Sequence, residues 1–197
     1  MPGGQEPLSL LTLASGDLWA GAEAVVYQLA IGLREKPHIK HTVVLLNHGR
    51  LETLCAQAGI HTRVIDEGRH GFAAILARLI AICREIRPQI IHSHRYKENL
   101  LAALATLACG RPRLVTTVHG LSEGHNNTFK STLKGKVNRF LMRSAFDTTV
   151  AVSNDIASAL AEKAGVPAHR LITIFNGIDT DGIPPVNTNP RADTITI

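Results

Sequence analysis

The sequence predicts an α/β fold, a Rossmann-like parallel sheet with helices on both faces. Three observations carry that expectation. Short runs rich in β-branched and aliphatic residues alternate with longer runs whose apolar residues recur at helical spacing. Glycine and proline punctuate the joins. The core must be aliphatic, because 45% of the 197 residues are hydrophobic and only 4% aromatic. That composition suits helices on a parallel sheet better than an aromatic-rich sandwich.

Residues 8–13 read as the first strand. Helix 22–33 follows, with Val25, Val26, Leu29, Ala30 and Leu33 on one stripe. Strand 41–46 leads to a short helix at 51–58, which ends near Gly59, and then to strand 62–65. Helix 72–86 is stopped by Pro88. Strand 89–93 precedes helix 98–108, which Gly110 closes. Strand 114–118 is rich in β-branched residues and leads to a helix over 128–145. After strand 148–152, helix 154–164 opens on Ser153 as N-cap and ends at Gly165, with Pro167 beyond. Strand 171–175 is the last full element.

Repeated βα units imply right-handed crossovers, and ligands of such sheets bind at the strands' carboxyl ends where the strand order reverses. Residues 1–180 are expected to form this domain. Gly182, Pro184, Pro185 and Pro190 mark 181–193 as an inter-domain linker. Residues 194–197 read as the opening strand of a truncated second domain.

The net charge of +5 favours anionic partners, whether phosphates, nucleotides, nucleic acid or an anionic membrane. Charge alone does not choose among them. Cys55, Cys83 and Cys109 are odd in number, widely spaced and without a CxxC pair, which argues against a disulfide framework or a thiolate metal site. Cys83 reads as a small buried hydrophobe. No charged segment precedes the first apolar run, and no apolar stretch approaches the roughly 20 residues that span a bilayer. The expected location is cytoplasmic, with any membrane contact peripheral.

Five segments hold the candidate chemistry, four of them in loops after strands. In the first loop, Ala20, Gly21 and Ala22 let backbone approach a ligand at the start of a helix, where free N–H groups suit a phosphate. The plain alternative is a tight βα turn. In the second, His92 and His94 alternate on one strand face, followed by Arg95 and Tyr96. With His119 they form the one conceivable zinc set, although such histidines more often hydrogen-bond within the sheet or to a polar ligand. In the third, His119-Gly120 ends a strand and precedes 123–127, which includes His125 and Asn126. The fourth segment, 128–145, is a basic amphipathic helix that fits an anionic membrane or simply a solvated face. In the fifth, Asn176-Gly177 marks a sharp turn.

Taken together and in order, these segments resemble the retaining GT-B glycosyltransferases of the group 1 family. Ala20-Gly21-Ala22-Glu23 is similar to the family's Gly-Gly-Ala-Glu loop, with Ala20 in place of the first glycine. Ile91-His92-Ser93-His94, Thr117-Val118-His119-Gly120 and Ala151-Val152-Ser153 are similar to its successive strand ends. Ile174-Phe175-Asn176-Gly177-Ile178-Asp179 is similar to its NGID signature. The resemblance implies the acceptor-binding N-terminal half of a hexosyl-transferring enzyme that uses a nucleotide sugar as substrate, with no cofactor, no metal and no nucleic acid. It implies His119 as the catalytic contact and Ala20, Gly21 and Asn176 on the donor. It implies His94, Arg95, Tyr96, His125 and Asn126 on a glycan or lipid-linked acceptor. The family's E-x7-E motif is absent from these residues, so the chain alone is expected to be inactive. A stand-alone glycan- or nucleotide-binding module, or a histidine-ligated metal hydrolase, remains as the alternative reading.

Overall fold

The structure, a computed structural model, describes residues 6–120 and 129–177. Its elements run β1 (Leu8–Ala14), α1 (Gly21–Arg34), β2 (Ile39–Leu45), α2 (Arg50–Gln57), β3 (Thr62–Val64), α3 (Phe72–Ile86) and β4 (Ile90–Ser93). They continue with α4 (Tyr96–Thr106), β5 (Arg113–Val118), α5 (Phe129–Ser144), β6 (Thr148–Ala151), α6 (Asn154–Glu162) and β7 (Leu171–Thr173). Every strand and helix read from the sequence within these residues is present. The ends differ by a few residues. The fourth helix starts at Tyr96 rather than 98, and the last strand stops at Thr173 because its neighbour β6 ends at Ala151. The expected linker 181–193 and the strand 194–197 lie outside the described residues.

All strand pairs are parallel, in the order β3-β2-β1-β4-β5-β6-β7. The chain builds leftward from β1 to β3, then crosses to β4 and builds rightward. Right-handed crossovers therefore put α1 and α2 on one face and the later helices on the other. The packing follows this division. Ala14, Val43 and Leu45 face Val26, Ala30, Leu51 and Cys55. The alternate residues Leu11, Leu13, Val44 and Leu46, with Ile91 and Leu114, face Leu79, Cys83, Leu101 and Phe146. Cys83 is fully buried in this cluster, as its apolar surroundings predict. Ser153 caps α6 by accepting from the Ile156 N–H at 3.2 Å. The sheet resembles the N-terminal half of a GT-B fold in its strand count and in having helices on both faces.

Candidate functional site

The strand order reverses between β1 and β4, which are neighbours in space but not in sequence. Their following loops leave in opposite directions and open a crevice at the carboxyl ends. The loop after β1 is held from below by backbone. Gly16 has φ +88, and a Cβ on Gly49 would collide with the Gly16 carbonyl oxygen. Glycine is needed at both places because the loops after β1 and β2 touch main chain to main chain. Ala20 then stands at the N-cap of α1 in extended backbone and offers no side-chain hydrogen bond. Beyond its own helix and chain neighbours, no atom of the described residues lies within 4 Å of where a Gly21 Cβ would be, so their packing does not demand glycine there.

Arg95 bridges the crevice. Its Nη2 donates to Glu23 Oε1 at 2.5 Å, and its Nη1 lies 3.7 Å from Asp17 Oδ1. Glu23, in the first turn of α1, is only 2% exposed, and its Oε2 has no partner among the described residues. A buried carboxylate needs such a cation beside it. The loops after β1 and β4 are thereby tied across the switch point. Tyr96, next to Arg95, is the half-buried first residue of α4. Below it, Asn99 Oδ1 accepts from Ser93 Oγ at 2.6 Å and Thr116 Oγ1 at 2.9 Å, while its Nδ2 donates to Asn138 Oδ1 at 2.9 Å. This buried network fixes the ends of β4 and β5, and hence the two residues that follow them. Glu98 is also buried in that helical turn, and burial pushes its carboxyl pKa up.

The histidines stack. His92 and His94 have ring centroids 4.3 Å apart, and His94 and His119 5.3 Å apart. His94 Nδ1 lies 3.0 Å from His119 Nε2, and His92 Nε2 lies 2.8 Å from Thr117 Oγ1. Burial, then the neighbouring charges, holds His94 well below the usual imidazole range and His92 at about 4. Burial and the Arg95 charge lower His119. All three are neutral at pH 7. One proton then lies between His94 and His119, so of the outer atoms His94 Nε2 and His119 Nδ1 one is a donor and the other an acceptor. Both atoms are buried and have no partner among the described residues. Among the described residues, no group of three or more histidine, cysteine or acidic side chains is placed to hold a metal.

The structure thus brings Gly21, His94, Arg95 and His119 to one rim. Asn176 sits on that rim's flank, exposed, in a cleft of about 440 Å³ that it lines with Val25, Leu29, His92, Thr117 and Val150. Ala20 is exposed at the entrance to α1. His125 and Asn126 lie outside the described residues. Sequence reading singled out Glu23 and Arg95 separately and missed their pairing. It put His92 and His94 on one face and grouped them with His119 only as a conceivable zinc set, not as a direct His94–His119 contact. The signal for that contact is the β4–β5 register, which sets Ser93 beside Thr116.

Residues 19–182 match the family described as Glycosyltransferase Family 4. This chain belongs to that family. Among solved structures, HepE of Anabaena in complex with UDP-glucose matches with a TM-score of 0.73 and 23% identity, over 88% of this chain and 45% of its own. A glycosyltransferase of Rickettsia africae matches with a TM-score of 0.72 and 18% identity, over 94% of this chain and 47% of its own. A UDP-GlcNAc 2-epimerase of Neisseria meningitidis bound to UDP-GlcNAc matches with a TM-score of 0.63 and 16% identity, over 84% of this chain and 45% of its own. The family 4 chain spans about half the length of these proteins. At such identities the likeness is one of fold. No curated protein sequence matches the chain significantly.

Proposed function

We propose that this family 4 chain is the acceptor-binding half of a retaining glycosyltransferase, which moves a hexosyl group from a nucleotide sugar to a glycan or lipid-linked acceptor. The observation that carries this reading is the family match together with the Glu23–Arg95 and His94–His119 pairs at the switch point. The fold alone is shared with epimerases; the family favours transfer.

On this reading the open face of Gly21 and the free N–H groups of α1 receive the donor diphosphate, with Ala20 and Asn176 beside it. His119, half-buried at the end of β5, contacts the transferred sugar with its imidazole. A neutral imidazole is the right form there, because an imidazolium would repel the positive charge of an oxocarbenium-like transition state. Arg95, Tyr96, His94, His125 and Asn126 face the acceptor. The exposed Leu133, Phe140, Lys134, Lys136 and Arg139 of α5 would rest on an anionic membrane. Diphosphate binding needs cations on the opposite wall, so the 197 residues alone would turn over negligibly.

The test joins the chain to its donor-binding half and assays transfer from a panel of UDP- and GDP-sugars. Transfer is expected with at least one donor, and His119→Ala should lower kcat/KM by ~100-fold. A folded two-domain protein that transfers from no donor overturns the proposal. A wild-type rate in His119→Ala removes that residue from the site.

A further inference from the structure

The chain enters β4 and β5 through the same dipeptide. Arg87-Pro88 precedes Gln89-Ile90, and Arg111-Pro112 precedes Arg113-Leu114. The two strands are parallel neighbours, with Ile90 beside Arg113, so the dipeptides come together at the amino ends of the sheet. The four residues of β4 put about 13 Å between this point and the histidines at the other end.

Both arginines stand in left-handed backbone, Arg87 at φ 47 and Arg111 at φ 55. They are the only non-glycine residues with positive φ among the described residues. A Cβ makes this conformation unfavourable, and a following proline pushes the residue toward extended backbone instead. Glycine would relieve the first strain, and Gly110, at φ 84, shows the chain using it next door. Arginine at these turns is therefore not explained by the turns.

A cleft of about 660 Å³ opens there, lined by Arg84, Arg87, Arg111 and Arg113 over the buried Pro88 and Pro112. Among the described residues, no carboxylate lines it. None of the four arginines is in an ion pair within the described residues. Arg84 Nε donates to the Ala108 carbonyl at 3.2 Å, as suits a helix end. The carboxyl ends of α3 and α4 contribute roughly half a negative charge each, which leaves a clear positive surplus among four guanidinium groups. Cys83 and Cys109 also border the cleft, and burial raises both thiols, so they stay protonated and add no charge. Guanidinium forks match phosphate oxygens in pairs.

We propose that this cleft binds a ligand carrying two or more linked or adjacent phosphates, at a site separate from the crevice at the strands' carboxyl ends. Its source is either a soluble polyphosphate or the headgroup of an acidic lipid.

Calorimetry on the full chain with inorganic tripolyphosphate tests the soluble source. Co-sedimentation with vesicles containing phosphatidic acid tests the lipid source, in a Lys134→Glu/Lys136→Glu background that silences α5. Binding to either probe is expected, weakened at least tenfold by Arg87→Gly/Arg111→Gly and equally by Arg84→Gln/Arg113→Gln. The glycine pair also relieves left-handed strain, so its thermal midpoint should rise and a folding defect cannot explain its loss of binding. His119→Ala should bind like wild type. The proposal is overturned if wild type binds neither probe, or if binding survives both double variants.

Discussion

Arg95 closes the rim because Glu23 is buried with it, and the two residues lie 72 positions apart. Removing the cation strands a carboxylate that is 2% exposed. Arg95→Ala should cost about 3 kcal/mol, read from urea unfolding. Glu23→Gln in the same chain should recover most of it, since a neutral amide needs no cation. Additive losses in the double variant would mean that the pair is not coupled. The sequence offered Glu23 only as the end of the Ala20–Glu23 segment at a helix start, where an acid is common in any case, and offered Arg95 as a residue of another loop. Nothing local links them. The same holds for His94 and His119, whose alternation and loop position were legible but whose shared proton depends on adjacent strands.

At the scale of elements, periodicity sufficed for type and place. Helix α3 reads cleanly because Ile75, Leu79 and Cys83 recur at helical spacing and all are buried. Strand and helix ends were less legible, since they depend on the neighbour's length, as β7 does on β6. Helix α5 shows a second limit. The sequence reads it as a basic amphipathic helix, but the structure divides its apolar residues between core and surface. Leu141 and Met142 are buried and Val137 packs on the core, while Leu133 and Phe140 are 51% and 65% exposed among lysines. If that face meets an anionic membrane, Leu133→Ser/Phe140→Ser and Lys134→Glu/Lys136→Glu should each reduce sedimentation with anionic vesicles several-fold. Unchanged sedimentation in both would leave α5 as a solvated face.

For the whole molecule, His92 and His41, which sits on β2 with its Nε2 2.8 Å from Thr12 Oγ1, set an acid limit on stability. Burial holds His41 and His92 at about 4, against roughly 6.5 in an unfolded chain. Below pH 6.5 the unfolded chain takes up protons that the folded one refuses, so stability is full above 6.5 and falls as pH drops toward 4. The loss at pH 5 should be about 2 kcal/mol for each of these two histidines. Urea midpoints measured between pH 4 and 8 check this, and His92→Gln should flatten the profile. A midpoint independent of pH below 6.5 would contradict the burial.

The amino-acid sequence by itself determined the order and type of the elements, the parallel α/β architecture and the segments where chemistry gathers. Those features follow from spacing along one chain, where apolar period and turn residues act over a few positions. Only the tertiary structure decided which residues meet: Arg95 with Glu23, His94 with His119, and the Arg87 turn beside the Arg111 turn. Such contacts depend on strand order and register, and many distant pairings are compatible with the same local pattern.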